Sequence, residues 1–204
     1  MATVALTRED RDRIIITMRA KADSMRADNT MRQSAAALLI ESELGIRIGD
    51  ICPHWHVEKD TKKRRRIPGL HLSDIVRDSN RYRIDITEEK TGKRRTFTVN
   101  NDLYCWLRDY ADAQGIARED ELIPLDPRTV QKNLKIVADE LGLENVSTHS
   151  FRKYFATDIY EQSGRDIVLV QTLLQHSSAT VTQRYINIAP ERIEKALADH
   201  NSLI

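Results

Sequence analysis

The stretch that decides the fold is Thr148–Ile186, THSFRKYFATDIYEQSGRDIVLVQTLLQHSSATVTQRYI. It places His149 three residues before Arg152, and His176 nine residues before Tyr185. Residues three apart share one face of a helix, so a helical start would direct His149 and Arg152 into one site. A guanidinium, two imidazoles and a phenol gathered together suit the binding of a phosphate and its attack by a tyrosine.

Size and composition predict one helix-rich globular domain. The chain has 204 residues, 40% of them hydrophobic, with 7 glycines and 5 prolines. Two cysteines, Cys52 and Cys105, form no disulfide framework and are typical of a reduced, cytosolic protein. No apolar run approaches the ~18 residues of a membrane helix, and no signal-peptide core precedes the first helix. We therefore expect a cytoplasmic protein without a membrane partner.

The charge is balanced overall but unevenly distributed. Lysine and arginine number 32 against 31 acidic residues, a formal net charge of +1. Strong nucleic-acid binders usually have a clearly basic balance, although the distribution of charge matters more than its sum. Positive charge is concentrated at 62–66 and 90–95.

The first half of the chain predicts two helices and then an arginine. Helix Val4–Arg26 has Thr7 as its capping residue. Helix Thr30–Leu44 contains the run Ala35–Ile40, which is apolar on most sides and indicates a central buried helix ended by a glycine. Arg47 follows directly, and its simplest interpretation is a surface ion pair with Asp50.

The segment 52–69 has two alternative interpretations. The phrase Cys52-Pro-His54-Trp-His56 contains metal-binding residue types, but a zinc site needs three or four ligands and no second cluster is present. We predict a helix-to-loop junction and no metal site. The basic run Lys62–Arg66 is either a solvated loop or a set of phosphate contacts.

Residues 70–99 change to the alternating period of strands. Strands are predicted at His71–Val76, Tyr82–Thr87 and Arg95–Val99. The short Gly-containing turn Glu88–Lys93 makes the last two a hairpin.

Helices return after the hairpin. The pattern predicts them at Asn101–Gln114, from Pro127 to Leu141 with Asp126 as cap, at Ser150–Ser163, at Ile167–Gln175 with Asp166 as cap, and at Pro190–His200. Arg128 and Lys132 lie near the start of the second of these helices and are either solvated or in contact with DNA.

Several phrases together resemble the catalytic domain of the tyrosine recombinases, the phage integrase family. They are the HxxR of His149 and Arg152, the LxHSS phrase around His176, and the Tyr185 that follows. The segment LGIRIGD resembles the family phrase that carries a first catalytic arginine, here Arg47. Phe151 and Gln175 replace the family's commoner Leu and Gly, and neither bears a reacting atom.

The resemblance implies an α+β, mostly helical fold with a small three-stranded antiparallel sheet packed beside a helical core. It implies one catalytic domain over 1–204, with a helical start at 4–44, a β-sheet insert at 70–99, a helical catalytic part at 101–188 and a C-terminal helix at 190–204. The catalytic pattern begins at Thr7, so we expect no N-terminal core-binding domain.

The resemblance also implies a function. The expected enzyme is a site-specific DNA recombinase or integrase that cuts and rejoins double-stranded DNA through a 3′-phosphotyrosyl intermediate, without metal or other cofactor, as a homotetramer joined through the C-terminal helix. Its catalytic residues would be Arg47, Lys90, His149, Arg152, His176 and Tyr185, with Lys93 as the alternative to Lys90. Its DNA contacts would be Lys62, Lys63, Arg64, Arg65, Arg66, Lys93, Arg128 and Lys132. The alternatives are a type IB topoisomerase-like enzyme and a non-catalytic DNA-binding regulator on the same fold.

Overall fold

The structure is a computed structural model that describes residues 3–24, 29–58, 60, 62–176, 179–183 and 185–186. Its helices are α1 (Arg8–Ser24), α2 (Thr30–Leu44), α3 (Ile48–Ile51), α4 (Asn101–Gln114), α5 (Pro127–Glu140), α6 (Thr148–Gln162), α7 (Ile167–Leu174) and α8 (Ala179–Gln183). Its strands are β1 (His54–Val57), β2 (Arg64–Ile67), β3 (Ile75–Asp78), β4 (Arg81–Thr87) and β5 (Arg94–Val99). The mostly helical architecture with small antiparallel sheets confirms the predicted fold class.

The chain divides into two compact units, the first ending at Phe155 and the second beginning at Ala156. In the first unit, α2 is the central helix, and Leu38 and Ile40 are fully buried on it. Helices α1 and α5 pack against α2. The alanines of the run Ala35–Ile40 let these neighbours approach closely, so the apolar middle of α2 lies at the centre of the core.

Three predicted helix caps are formed. The Thr7 hydroxyl accepts a hydrogen bond from the Asp10 backbone N–H at 3.1 Å. Asp126 accepts from the Arg128 N–H at 2.8 Å, with Pro127 as the first helical residue. In the second unit, Asp166 accepts from two backbone N–H groups of α7. Each cap satisfies donors that the first helical turn leaves unpaired.

Strands β3, β4 and β5 form one antiparallel sheet in that order. Residue Tyr82 pairs with Val99 and Thr87 with Arg94, so the hairpin turn spans the residues predicted for it. Ile75, Ile84 and Val99 bury their side chains in the core. The sheet therefore packs one face on the helices and presents its turn, with Lys90 and Lys93, at one end.

The prediction of a strand at His71–Val76 was wrong in its first half. Leu72–Asp74 is a single 3₁₀ turn, and the strand begins only at Ile75. The Asp74 carboxylate accepts hydrogen bonds from the His71 backbone N–H at 2.8 Å and lies 3.2 Å from the His71 ring nitrogen. This local capping satisfies backbone groups that a strand would pair elsewhere. The first helix likewise begins at Arg8 rather than Val4, since Thr7 is its cap.

The segment predicted as a loop contains a second sheet. Strands β1 and β2 pair antiparallel, with His54 opposite Ile67 and Val57 opposite Arg64. We call residues 54–67 the basic arm. None of its described side chains belongs to the apolar core cluster, and Trp55 and Val57 are about half exposed. Its strands were missed because arginines, not apolar residues, occupy β2.

Candidate active site

The first element of the candidate site is the junction between α2 and α3. Gly45 ends α2 in the left-handed conformation, with φ of +58°. A side-chain carbon there would lie 2.2 Å from the Phe155 ring, so both the backbone and the space require glycine. The chain then extends through Arg47, the residue before the first turn of α3. This abrupt turn holds Arg47 at the edge of the core, with its side chain 22% exposed.

Three arginines from distant parts of the chain converge near this junction. Arg152 is fully buried and donates to the Gly45 carbonyl. Arg95 is also buried and donates to the carbonyls of Gly45 and Leu44, each at 3.1 Å. Arg47 and Arg95 both donate to the Glu88 carboxylate, at 2.7 and 3.2 Å. We call Arg47, Arg95, Arg152 and Glu88 the arginine cluster.

The HxxR pair lies at the start of α6, as its spacing predicted. His149 and Arg152 are one helical turn apart, and His149 is half-buried. Burial lowers the pKa of His149 to about 4, and the charges of Arg152, Lys153, Arg47 and Lys90 lower it in the same direction. A lowered pKa keeps the imidazole neutral at pH 7. His149 is therefore an electrically neutral group surrounded by cations.

The two candidate lysines lie on the turn between β4 and β5, and both are exposed. The charge of Lys90 is one of the causes that lower the pKa of His149. Arg47, Lys90, His149 and Arg152 all belong to the first unit, where the charges of the three cations help to lower the pKa of His149. The choice of Lys90 over Lys93 stays a prediction, which the effect of the Lys90 charge on the pKa of His149 supports.

The remaining two candidates belong to the second unit. The His176 and Tyr185 rings meet edge to face, with centroids 4.5 Å apart. The Nδ1 atom of His176 lies 3.1 Å from the buried Thr182 hydroxyl. Tyr185 follows α8 and its backbone N–H donates to the Thr182 carbonyl at 2.9 Å. Thr182 therefore links the imidazole to the helix end that carries the phenol.

All the predicted DNA contacts are exposed: Lys62, Lys63, Arg64, Arg65, Arg66, Lys93, Arg128 and Lys132. The contacts of two of them are defined by the structure. The Arg64 guanidinium lies 5.2 Å from the centre of the Trp55 ring, and Arg66 donates to Glu121 at 2.7 Å. The eight residues lie on the basic arm, on the hairpin turn or in the first turns of α5.

Among the described residues, no group of three or more His, Cys, Asp or Glu side chains is arranged to hold a metal ion. His54 instead contacts the Cys52 carbonyl at 3.3 Å, and His56 pairs with Glu89 at 3.0 Å. In the same part of the chain, no helix is long and apolar enough to cross a bilayer.

Sequence reasoning missed two members of the arginine cluster. Glu88 was predicted only as part of the hairpin turn, and it is fully buried. Arg95 was placed on a strand without a role. Its position two residues before Phe97 and four before Val99 puts it on the inward face of β5, and this phase could have revealed it. The expected Arg47–Asp50 pair is replaced by Arg47–Glu88, while Asp50 accepts from the Glu89 backbone N–H.

Comparison with solved structures shows the same fold in several recombinases. The XerH site-specific recombinase bound to its difH substrate superposes with a TM-score of 0.68 at 18% identity, over 96% of this chain and 52% of that one. The XerA recombinase superposes with a TM-score of 0.64 at 20% identity, over 100% of this chain and 66% of that one. The catalytic domain of bacteriophage HP1 integrase superposes with a TM-score of 0.57 at 19% identity, over 97% of this chain and 95% of that one.

Sequence comparison identifies the family. The chain is 38% identical to the tyrosine recombinase XerC of Bradyrhizobium diazoefficiens over 145 residues, 67% of this chain and 42% of that protein. It is 30% identical to the probable integrase/recombinase YoeC of Bacillus subtilis over 129 residues, 58% and 71%. The chain spans about half the length of most curated relatives that it matches. The phage integrase family model matches residues 5–192, and the chain therefore belongs to the phage integrase family, as the resemblance predicted.

Proposed function

We propose that this chain is the catalytic part of a site-specific DNA recombinase or integrase that cuts and rejoins double-stranded DNA through a 3′-phosphotyrosyl intermediate. The observation that carries the proposal is the convergence of Arg47, Arg95 and Arg152 on Glu88 and the Gly45 carbonyl, one helical turn from His149. Such a group of fixed cations suits a phosphodiester, whose non-bridging oxygens gain negative charge as phosphorus is attacked.

The arginines bind those oxygens. A guanidinium stays charged at any relevant pH and offers a planar fork of donors that matches two phosphate oxygens. Arg152 is held by the Gly45 carbonyl, and Arg47 by Glu88. Since each donor is already oriented before DNA binds, little reorganisation accompanies the reaction.

The reaction is a transesterification in which every proton has a carrier. The Tyr185 hydroxyl attacks phosphorus and gives its proton to His149, whose pKa rises once the phosphate offsets the surrounding positive charge. The bond to the 5′-oxygen breaks, and that oxygen takes a proton from Lys90. His176 donates to the phosphate. The new phosphotyrosyl ester keeps the bond energy, so a second 5′-hydroxyl reverses the step and joins a new strand.

DNA binding and assembly complete the proposal. The eight exposed cations contact phosphates, which position the duplex without reading its sequence. Four copies exchange strands as a homotetramer, with the C-terminal helix at 190–204 docking on a neighbour. That helix lies outside the described residues.

Covalent trapping tests the proposal. The protein is incubated with a nicked suicide duplex made from DNA that flanks its own gene, and a denaturing gel is examined for a protein–DNA adduct. Loss of the short nicked fragment prevents religation, so a cleaving enzyme accumulates as the adduct. We expect an adduct with the parent protein and none with Tyr185→Phe, which lacks only the attacking oxygen.

The outcomes separate the alternatives. A gel shift without any adduct would contradict the recombinase and favour the non-catalytic DNA-binding regulator. An adduct together with relaxation of supercoiled plasmid and no exchange between two sites would favour the topoisomerase-like enzyme. An adduct that persists in Tyr185→Phe would show that another residue is the nucleophile.

A further inference from the structure

A buried carboxylate that the proposed chemistry does not use lies at the base of the lysine-bearing turn. Glu88 has no exposed surface and accepts three hydrogen bonds. Its donors are Arg47 at 2.7 Å, Arg95 at 3.2 Å and the Thr91 hydroxyl at 3.0 Å. One carboxylate thus contacts the predicted first arginine, a buried structural arginine and the turn itself.

A second hydrogen bond ties the same two elements together. Asp50 on α3 accepts from the Glu89 backbone N–H at 2.9 Å. Arg47 and Asp50, one turn apart, therefore hold consecutive residues of the hairpin. Since Arg47 precedes the first turn of α3 and Asp50 lies in it, the hairpin is fixed to this short helix at two points.

The turn that carries Lys90 is closed on Glu88. The Glu88 N–H donates to the Lys93 carbonyl at 3.0 Å, and the Gly92 N–H donates to the Glu88 carbonyl at 2.8 Å. Gly92 has a φ of +65°, which glycine adopts without strain. Lys90 thus projects from a short loop whose two ends meet at one buried residue.

The charge of Glu88 is compensated where it is buried. Burial by itself raises the pKa of this carboxyl, but the hydrogen bond and charge of Arg47, with help from Thr91 and Arg95, hold the pKa below its ordinary value. The group is therefore ionised at neutral pH. Arg47 uses one amino group for this contact and remains 22% exposed, which leaves the rest of its fork for a phosphate.

We propose that Glu88 is a positioning residue that fixes Lys90 and Arg47 relative to one another for cleavage. The inference rests on the function proposed above. A misplacement of about 1 Å can lower a rate by ~10²-fold, so a group that sets the distance between a general acid and a phosphate-binding arginine affects the rate without touching the substrate.

The test compares two substrates in single-turnover adduct formation. One is the nicked suicide duplex, and the other carries sulfur in place of the bridging 5′-oxygen at the cleaved bond. A thiol has a pKa of about 8.5, far below that of an alcohol, so a thiolate leaves without a donated proton. Lys90→Ala shows what the loss of the general acid looks like in this assay. We expect its rate of adduct formation to fall greatly on the oxygen duplex and to be mostly restored on the sulfur duplex.

Glu88→Gln keeps the shape and removes the charge. We expect the rate of adduct formation on the oxygen duplex to fall by about 10- to 100-fold. On the sulfur duplex, at least half of that loss, on a logarithmic scale, should be restored. The matched control is Glu89→Gln, because the neighbouring glutamate holds Asp50 through its backbone, and we expect it within about threefold of the parent. Equal losses of Glu88→Gln on both duplexes would overturn the inference.

A second variant keeps the test decisive if Glu88→Gln does not fold. Thr91 is exposed, and Thr91→Ala removes its hydrogen bond to Glu88 and the one that its hydroxyl accepts from the Lys93 N–H at 3.3 Å, while both ion pairs of Glu88 remain. We expect the same substrate pattern at a smaller loss of about three- to tenfold, and parental rates on the oxygen duplex would overturn the inference. Failure of Lys90→Ala to respond to sulfur would instead contradict the proposed role of Lys90.

Discussion

The protein contains two groups of three arginines that differ in almost every physical respect. Arg64, Arg65 and Arg66 are consecutive on one strand of the basic arm, and all are exposed. The three arginines of the arginine cluster are the residue before α3, one residue of β5 and one residue of α6, and Arg47 and Arg152 are more than 100 residues apart. Two of those three are fully buried and hydrogen bonded to backbone carbonyls.

The difference determines what each group can do. Between exposed charges, water and salt screen the interaction beyond about 10 Å, so the arm offers attraction without fixed geometry. Inside the protein the effective dielectric constant is lower and each donor is already oriented, so the cluster can stabilise charge that develops at one atom. Under the proposed function, we therefore expect the basic arm to set the affinity for DNA and the arginine cluster to set the rate of DNA cleavage.

The largest expected effect comes from replacing the buried arginine. Arg152→Lys keeps the charge and removes the planar fork, and we expect adduct formation to fall by about 10²- to 10³-fold at saturating DNA. The control is Arg64→Lys on the arm, which should change the rate less than twofold. Circular dichroism verifies that both variants fold. A loss below fivefold for Arg152→Lys would contradict the assignment of rate to the cluster.

A backbone change should break the cluster with no change of charge. The Gly45 carbonyl accepts from both Arg95 and Arg152, and Gly45→Ala would strain a positive φ and press a methyl group into the Phe155 ring. We expect a loss of about 2–4 kcal/mol in the free energy of unfolding, measured by urea denaturation. Gly115→Ala is the matched control, since φ there is +65° and nothing lies within 4 Å of the added carbon. Similar losses in the two variants would exclude the Phe155 contact as the cause.

The comparison also explains what the sequence could reveal. Helix α2 was predicted with its observed bounds because an apolar run ended by glycine has few other interpretations. The caps at Thr7, Asp126 and Asp166 depend on neighbours within three residues, and all three form. The catalytic candidates came from a resemblance in several phrases, which no periodicity would supply.

The features that the sequence did not predict depend on contacts that the local pattern does not show. Glu88 is buried only because Arg47 and Arg95 arrive from elsewhere in the chain, and its own neighbours are those of a solvated turn. The basic arm forms strands although its second strand reads RRRI, because β1 supplies the pairing partner. At Leu72–Asp74, the alternating pattern predicted a strand, but the Asp74 carboxylate binds the His71 N–H and the segment forms a 3₁₀ turn.

A smaller effect should follow from removing charge on the arm. Arg64→Gln with Arg65→Gln would lose two phosphate contacts, and each contact contributes about 0.9 to the slope of log affinity against log salt. We expect the slope to fall by about 2 and affinity to weaken by about tenfold at moderate salt, with the cleavage rate at saturating DNA unchanged. Fluorescence anisotropy over a salt series measures both quantities.

The matched control for the arm replaces two exposed arginines of the other sheet. Arg77→Gln with Arg81→Gln makes the same change of charge at the β3–β4 turn, which the proposal does not place on DNA. We expect its salt slope to differ from the parent by less than 0.5. An equal fall in both double variants would mean that net charge, not the arm, attracts DNA.

The smallest effect is a titration that reports which lysine belongs to the cluster. Because the pKa of His149 is lowered to about 4, the unfolded chain binds a proton there near pH 6.5 and the folded chain does not. The free energy of unfolding therefore decreases as pH falls from about 6.5 towards 4. Lys90→Met removes one of the repelling charges and should raise the pKa of His149, measured by NMR. Lys93→Met should raise it less, because Lys90 is the turn lysine whose charge lowers the pKa of His149. A larger rise with Lys93→Met would reverse the choice between the two lysines, and with it the general acid of the proposed reaction.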